Sequence, residues 1–221
     1  DCGVIFDGDA DRAMFVDERG EFVQPDYLIP VVANATGASR QPVLHDIRTS
    51  RGAIETLREE GFEPVMVPVG PALAKPKMRE LAAPVGGELA GHYYFAEFHY
   101  CDSGILAALR VLGAVAEAKE RGQTFSEMMR PITGRYANSG ELNYKTEDKD
   151  GAIARVLAAA SAFGEVTARS DIDGIRLEFA DGWFNVRKSN TESYLRLLVE
   201  HRSAETMKKW IGTLEAAIDA R

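Results

Sequence analysis

Pro42-Val43-Leu44-His45-Asp46 is a short apolar run that ends on an acid. Thr49 to Glu60 follows with helical spacing, Gly61 stops it, and Pro64 to Val69 is a second apolar run. Strand, glycine-stopped helix and strand in immediate succession form the repeating unit of a parallel sheet. Downstream, Ala72 to Ala82 reads as a helix, Val85-Gly86-Gly87-Glu88 as a strand entering a loop, and Asp102 or Ser103 to about Arg121 as a helix stopped by Gly122. Upstream, Asp26 to Ala35 is helical in pattern despite Pro30. Val4 to Phe6 is a short strand, and Ala13 to Val16 with Phe22-Val23 is a hairpin across Glu18-Arg19-Gly20-Glu21. The alternation predicts an α/β domain with a mixed, mainly parallel sheet.

The pattern changes after about Thr133. Tyr136 to Tyr144 reads as a strand, and Lys149 to Phe163 as an alanine-rich helix. The segments Glu165–Ala168, Ile175–Phe179, Trp183–Arg187 and Tyr194–Val199 read as crowded strands, and Ala204 to about Ala220 as a last helix. Strands grouped between two helices predict a small α+β C-terminal domain. The expected divisions are 1–21, 22–133 and 134–221.

Of 221 residues, 45% are hydrophobic, enough for packed cores. The net charge is −8 with no basic stripe, which argues against a nucleic-acid partner. A small anion remains open, because local arginines and backbone donors can outweigh net charge. Cys2 and Cys101 make no disulfide framework, and no apolar run reaches membrane length. A cytoplasmic protein without a membrane partner is expected. The chain starts at Asp1-Cys2-Gly3 without Met, so a piece of a longer protein is expected as well.

Asp7-Gly8-Asp9-Ala10-Asp11-Arg12 is the first chemical motif. Three carboxylates at alternate positions just past a strand can converge on one hard cation, and Mg2+ takes oxygen ligands while keeping positions for substrate phosphate. Arg12 beside such a site suits a phosphate oxygen. Rival readings are a solvated acidic turn, an EF-hand and a phosphatase with Asp7 as nucleophile. The EF-hand would use Asp7, Asp9, Asp11 and Glu18, but it needs glycine where Arg12 stands. Gly86-Gly87-Glu88-Leu89-Ala90-Gly91-His92 is the second motif. Its glycines leave backbone open to a ligand, Glu88 can accept from two vicinal hydroxyls, and His92 can donate or work near neutral pH. The alternative is a glycine-rich turn with an incidental histidine. The third is Arg187-Lys188-Ser189-Asn190-Thr191-Glu192-Ser193, where the Arg187 fork, the Ser189 and Thr191 hydroxyls and the Asn190 amide could hold an anion. The alternative there is a polar hairpin turn. Arg196 would support the site or simply face outward.

In this order and at these separations, the three loops resemble the α-D-phosphohexomutases, especially the bacterial phosphomannomutase/phosphoglucomutase branch, as do Tyr94-Phe95, Tyr100-Cys101-Asp102-Ser103-Gly104 and Asp173-Gly174. The resemblance covers the whole chain. It implies that 1–21 ends a second domain carrying the metal loop, that 22–133 is a sugar-binding third domain, and that 134–221 is a phosphate-binding fourth. It implies a phosphorylated hexose, mannose or glucose, moving between its 1- and 6-phosphates through a phosphoserine and a bisphosphorylated intermediate. Mg2+ would be bound by Asp7, Asp9 and Asp11. Arg12 and His92 would lie near the transferring group, and Glu88 would hold ring hydroxyls. Arg48 would line the cleft, and Arg187, Ser189, Asn190 and Thr191 would clamp phosphate. The phosphoserine segment is absent, so this chain is expected to be inactive alone and to need the N-terminal domains. Three positions depart from the family pattern. Ala90 stands at a usual serine of the substrate loop and Pro71 at a usual histidine, while Lys75 is retained; Ser193 stands at a usual proline. The first two departures leave open a non-catalytic sugar-phosphate binding module.

Overall fold

The structure, a computed structural model, describes residues 1–37, 40–189 and 193–220. Two compact units divide it, Asp1–Gly134 and Arg135–Arg221.

The first unit begins with a three-stranded antiparallel sheet: β1 (Gly3–Phe6), β2 (Ala13–Val16) and β3 (Phe22–Val23). A 3-10 turn at Pro25–Leu28 leads into α1 (Ile29–Asn34). There follow β4 (Pro42–Asp46), α2 (Arg51–Glu59), β5 (Glu63–Val67), α3 (Pro71–Leu81), β6 (Val85–Gly87), β7 (Tyr93–Phe95), β8 (Cys101–Asp102), α4 (Gly104–Glu120) and α5 (Phe125–Thr133). The sheet order is β5-β4-β6-β7-β8. β5, β4 and β6 are parallel, while β7 and β8 return antiparallel, so the sheet is mixed.

Local chemistry explains the helix ends. Ser50 caps α2 by accepting from Gly52 N, and its own N–H donates to the buried Asp26 carboxylate at 2.8 Å. Pro71 sits at the first position of α3, where its missing N–H costs no helical bond. Thr124 and Glu127 form a capping box on α5. Phe15, Leu28, Ile29, Val85, Tyr93, Phe95, Val111 and Phe125 lie in one core, so β2 packs with the α/β layer.

The second unit contains β9 (Ala137–Asn138), β10 (Leu142–Lys145), α6 (Lys149–Ala160), a 3-10 turn at Ser161–Phe163, β11 (Ala168–Ser170), β12 (Ile175–Glu178), β13 (Gly182–Lys188), β14 (Tyr194–His201) and α7 (Ala204–Asp219). The antiparallel order is β10-β14-β13-β12-β11, with β9 also on β14. The helices bury one face of this sheet through Ala152, Val156, Met207, Trp210 and Leu214. Phe163 stacks on Trp210 with ring centroids 4.4 Å apart.

Some expectations shift. Tyr136–Tyr144 is two short strands rather than one, because Gly140 turns at φ 66° between them. The strand expected at Glu165–Ala168 starts only at Ala168. Among the described residues no helix is long and apolar enough to cross a membrane.

Candidate functional site

The acidic loop joins β1 to β2, so strands and not helices flank it, and the EF-hand reading fails. Glu18, its would-be fourth acid, instead accepts from Ser126 N and Oγ at the start of α5, at 3.1 and 2.6 Å. Oxygens of Asp7, Asp9 and Asp11 all lie within 4.8 Å of one another. Asp7 accepts from Arg12 Nε at 2.6 Å and from Arg12 N at 3.2 Å, so Arg12 engages both its oxygens. Burial alone would raise the Asp7 carboxyl, but these bonds and the guanidinium charge hold it below the usual value. Asp11 is pushed up, first by burial, against the pull of His92 and with the charges of Asp9, Asp7 and Asp102 adding to the rise. Asp11 Oδ1 is buried, and no hydrogen-bond donor among the described residues reaches it. Three converging carboxylates with one orphaned oxygen fit a hard divalent cation.

The glycine–histidine loop is held directly against this cluster. Arg12 and His92 form an antiparallel bridge, and Ala13 N donates to Gly91 O at 3.1 Å. Gly104 N donates to Ala10 O, and a Cβ on Gly104 would lie 2.4 Å from Arg12 O, so only glycine permits this approach. His92 Nδ1 lies 3.0 Å from Asp102 Oδ2 and 3.7 Å from Asp11 Oδ2, within ion-pair range but without hydrogen-bond alignment. Lys75 donates to Asp102 at 2.6 Å and holds that carboxyl below the usual range, although burial pushes the other way.

Glu88 is almost fully buried. Its Oε1 accepts from Tyr94 Oη at 2.5 Å and from Gly70 N at 3.2 Å, and its Oε2 lies 3.9 Å from Arg48 Nη2. Burial raises the Glu88 carboxyl above its usual value despite the Tyr94 bond. Arg48 is buried too. It donates to Asp46 Oδ2 through Nη2 at 2.7 Å, and Asp46 also accepts from Leu89 N at 2.9 Å. Burial would raise Asp46, but Arg48 charge and bonds keep it low. Arg48 therefore lies under the glycine–histidine loop as part of its support rather than on an open face. Ala90 is half-buried on that loop.

In the second unit, Arg187 on β13 and Arg196 on β14 face each other in register. Glu141, just before β10, accepts from Arg187 Nη2 at 3.1 Å and Nε at 3.3 Å through Oε1, and from Arg196 Nη1 at 3.0 Å through Oε2. Ser189 is buried. Its N–H donates to Tyr194 O, and its hydroxyl has no hydrogen-bond partner among the described residues. The expectations for Asn190 and Thr191 lie outside the described residues. A depression of about 470 Å³ lies beside the pair, lined by Glu141, Asn143, Tyr194 and Arg196. A cavity of about 700 Å³ in the first unit, lined by Pro30, Asn34, Leu109 and Arg110 among others, touches none of the three loops.

Sequence reasoning missed Asp46, Tyr94, Asp102 and Glu141 as parts of these sites. Tyr94 and Asp102 lay in segments that carry the family resemblance, but without a role. Glu141 meets its arginines and Asp46 meets Leu89 N only across distant segments, while Asp46–Arg48 and Tyr94–Glu88 are near in sequence but follow no spacing that marks a site.

Known proteins agree with this arrangement. Residues 24–136 match the family described as phosphoglucomutase/phosphomannomutase, alpha/beta/alpha domain III, and residues 141–216 match its C-terminal domain. The phosphomannomutase of Escherichia coli strain K12 is 38% identical over 205 residues, 91% of this chain and 44% of the relative. A phosphoglucomutase/phosphomannomutase family protein of Burkholderia thailandensis superposes with a TM-score of 0.82 at 27% identity, over 99% of this chain and 46% of that one. N-acetylphosphoglucosamine mutase of Aspergillus fumigatus, solved with GlcNAc-6P and magnesium, shares the fold. Its TM-score is 0.70 at 14% identity, over 100% of this chain and 52% of that one. The chain thus spans less than half the length of the curated relative. With one family domain matched on each compact unit, the chain belongs to the phosphoglucomutase/phosphomannomutase family.

Proposed function

We propose that this chain supplies the metal loop, sugar loop and phosphate clamp of a phosphohexomutase that interconverts hexose 1-phosphate and hexose 6-phosphate, with mannose or glucose as the sugar. Residues 1–21 would be the end of its second domain, 22–133 its third and 134–221 its fourth. The carrying observation is the Arg12–His92 bridge, which sets the carboxylate cluster against the loop of Glu88.

Asp7, Asp9 and Asp11 would hold Mg2+, the ion named with the Aspergillus relative. When bound, such an ion neutralises charge on a phosphoryl group in transfer. Arg12, anchored by Asp7, would present its remaining N–H groups to phosphoryl oxygens. His92, braced beside Asp102, would donate to the ligand or hold a proton at its ring nitrogen. Glu88 would turn Oε2 toward ring hydroxyls while Tyr94 and Gly70 keep Oε1. Arg187 and Ser189, with Asn190 and Thr191, would take the phosphate that is not reacting. The phosphoserine would come from outside this chain. It would give its phosphoryl group to the free sugar oxygen and later recover the other one.

A second reading keeps binding without turnover. Pro71 favours it, since proline at the start of α3 offers no proton to a substrate. An Asp7 nucleophile has less support, because Arg12 engages both of its oxygens.

The test is calorimetric titration with glucose 1-phosphate and mannose 1-phosphate in the presence of Mg2+, beside an assay for hexose 1-phosphate and 6-phosphate exchange with the preceding domains supplied. Binding with turnover supports the mutase, and binding without turnover supports the module. If neither sugar phosphate binds the completed protein, both readings are rejected.

A further inference from the structure

Arg187 and Arg196 are directly opposed on neighbouring antiparallel strands, where like charges repel. Glu141 removes that repulsion by accepting from both guanidiniums. Its grip on Arg187 uses Nε and Nη2, one of the paired-donor edges that a guanidinium presents to a carboxylate or phosphate. The Arg187 side chain is only 6% exposed, whereas Arg196 and Glu141 border the open depression. An anion entering from that depression therefore meets Glu141 before it meets that edge of Arg187.

We propose that Glu141 is a built-in competitor for the anion site, and that a phosphate reaches Arg187 by displacing it. The proposal rests on reading the Arg187 loop as the phosphate clamp. Two arginines and one carboxylate leave the cluster with one net positive charge. A phosphate monoester carries close to two negative charges at neutral pH, more than the carboxylate it displaces, and it brings more acceptor oxygens. A carboxylate ligand would merely repeat what Glu141 already provides, without the advantage of being tethered. Glu141 thus keeps the two guanidiniums ordered while the site is empty, and it selects phosphate over monoanions. It also weakens phosphate binding, which suits a site that must release and rebind its ligand in two orientations.

Inorganic phosphate, glucose 1-phosphate and acetate are titrated into the full chain while the arginine Nε–Hε resonances are followed by NMR. Wild type is compared with Glu141→Gln, Glu141→Ala and Arg187→Lys, and amide spectra confirm that each variant is folded. The expected result is that Glu141→Gln and Glu141→Ala bind both phosphates at least about tenfold more tightly, the scale of one charge-assisted bond. They should also acquire acetate binding that wild type lacks. Equal or weaker phosphate binding in the folded Glu141 variants, with Arg187 still responding, overturns the competitor and leaves the clamp standing. If Arg187 responds to phosphate in no variant, both the competitor and the clamp are rejected.

Discussion

Asp9 is the exposed member of the carboxylate trio, so its replacement should report on metal binding rather than on folding. Asp9→Asn is expected to weaken Mg2+ binding at least about tenfold, a loss that even outer-shell partners of metal sites produce, while the thermal midpoint stays within error; calorimetry and a melting curve check both. Gly104 gives the opposite test. An added Cβ would meet the backbone oxygens of Arg12 and Ala10 at 2.4 and 2.8 Å, so the acidic loop must move to admit it. Gly104→Ala should cost about 1–3 kcal/mol by overpacking, seen in urea unfolding, and should weaken Mg2+ binding without touching a carboxylate. At this scale the three acids, Arg12, His92 and Arg187 could be picked out in the sequence because each sits in a dense polar motif. Asp102 and Glu141 act on residues 10 and 46 positions away, and such pairings come only from the folded chain.

Elements show where one contact joins two segments. Glu18, in the turn between β2 and β3, accepts from Ser126 at the start of α5. That hydrogen bond, stronger than the opposing effect of burial, brings its carboxyl down to about 2. A depressed carboxylate adds stability above its unfolded value of 4.5, and that stability disappears as pH falls toward 2. Melting of wild type and Glu18→Gln should therefore differ at pH 7, with wild type the more stable, and the two curves should converge between pH 4.5 and 2. A gap unchanged across that window would show that Glu18 does not act through its charge. The helix α5 was missed in the sequence, although Thr124-Phe125-Ser126-Glu127 carries a capping-box signature. The short strands β7 and β8 were missed because three- and two-residue strands are too brief to show alternation.

For the molecule as a whole, each unit has its own core, and each can be weakened from within. Leu214 on α7 is fully buried in the second core. Leu214→Ala should cost about 2–5 kcal/mol of stability in residues 135–220, measured by amide hydrogen exchange there. An unchanged exchange rate in β13 and β14 would mean that α7 does not hold that sheet. The chain spans 44% of the Escherichia coli relative, and in the proposed function the phosphoserine comes from outside it. By itself it is expected to show no hexose 1-phosphate to 6-phosphate exchange in a coupled assay, even where it binds the sugar phosphate.

The sequence by itself determined the order of most strands and helices, the change of fold near residue 133 and the three motifs, because periodicity, glycine stops and clustered polar residues are local signals. Tertiary structure alone decided that the sheet turns antiparallel after β6 and that Arg12 meets His92. It also put Glu88 and Arg48 beneath the surface, and set Glu141 between two arginines. The return after β6 is local, but its strands are too short to show alternation; the other outcomes depend on backbone pairing or burial between segments far apart in the chain, which spacing along one strand or helix cannot encode.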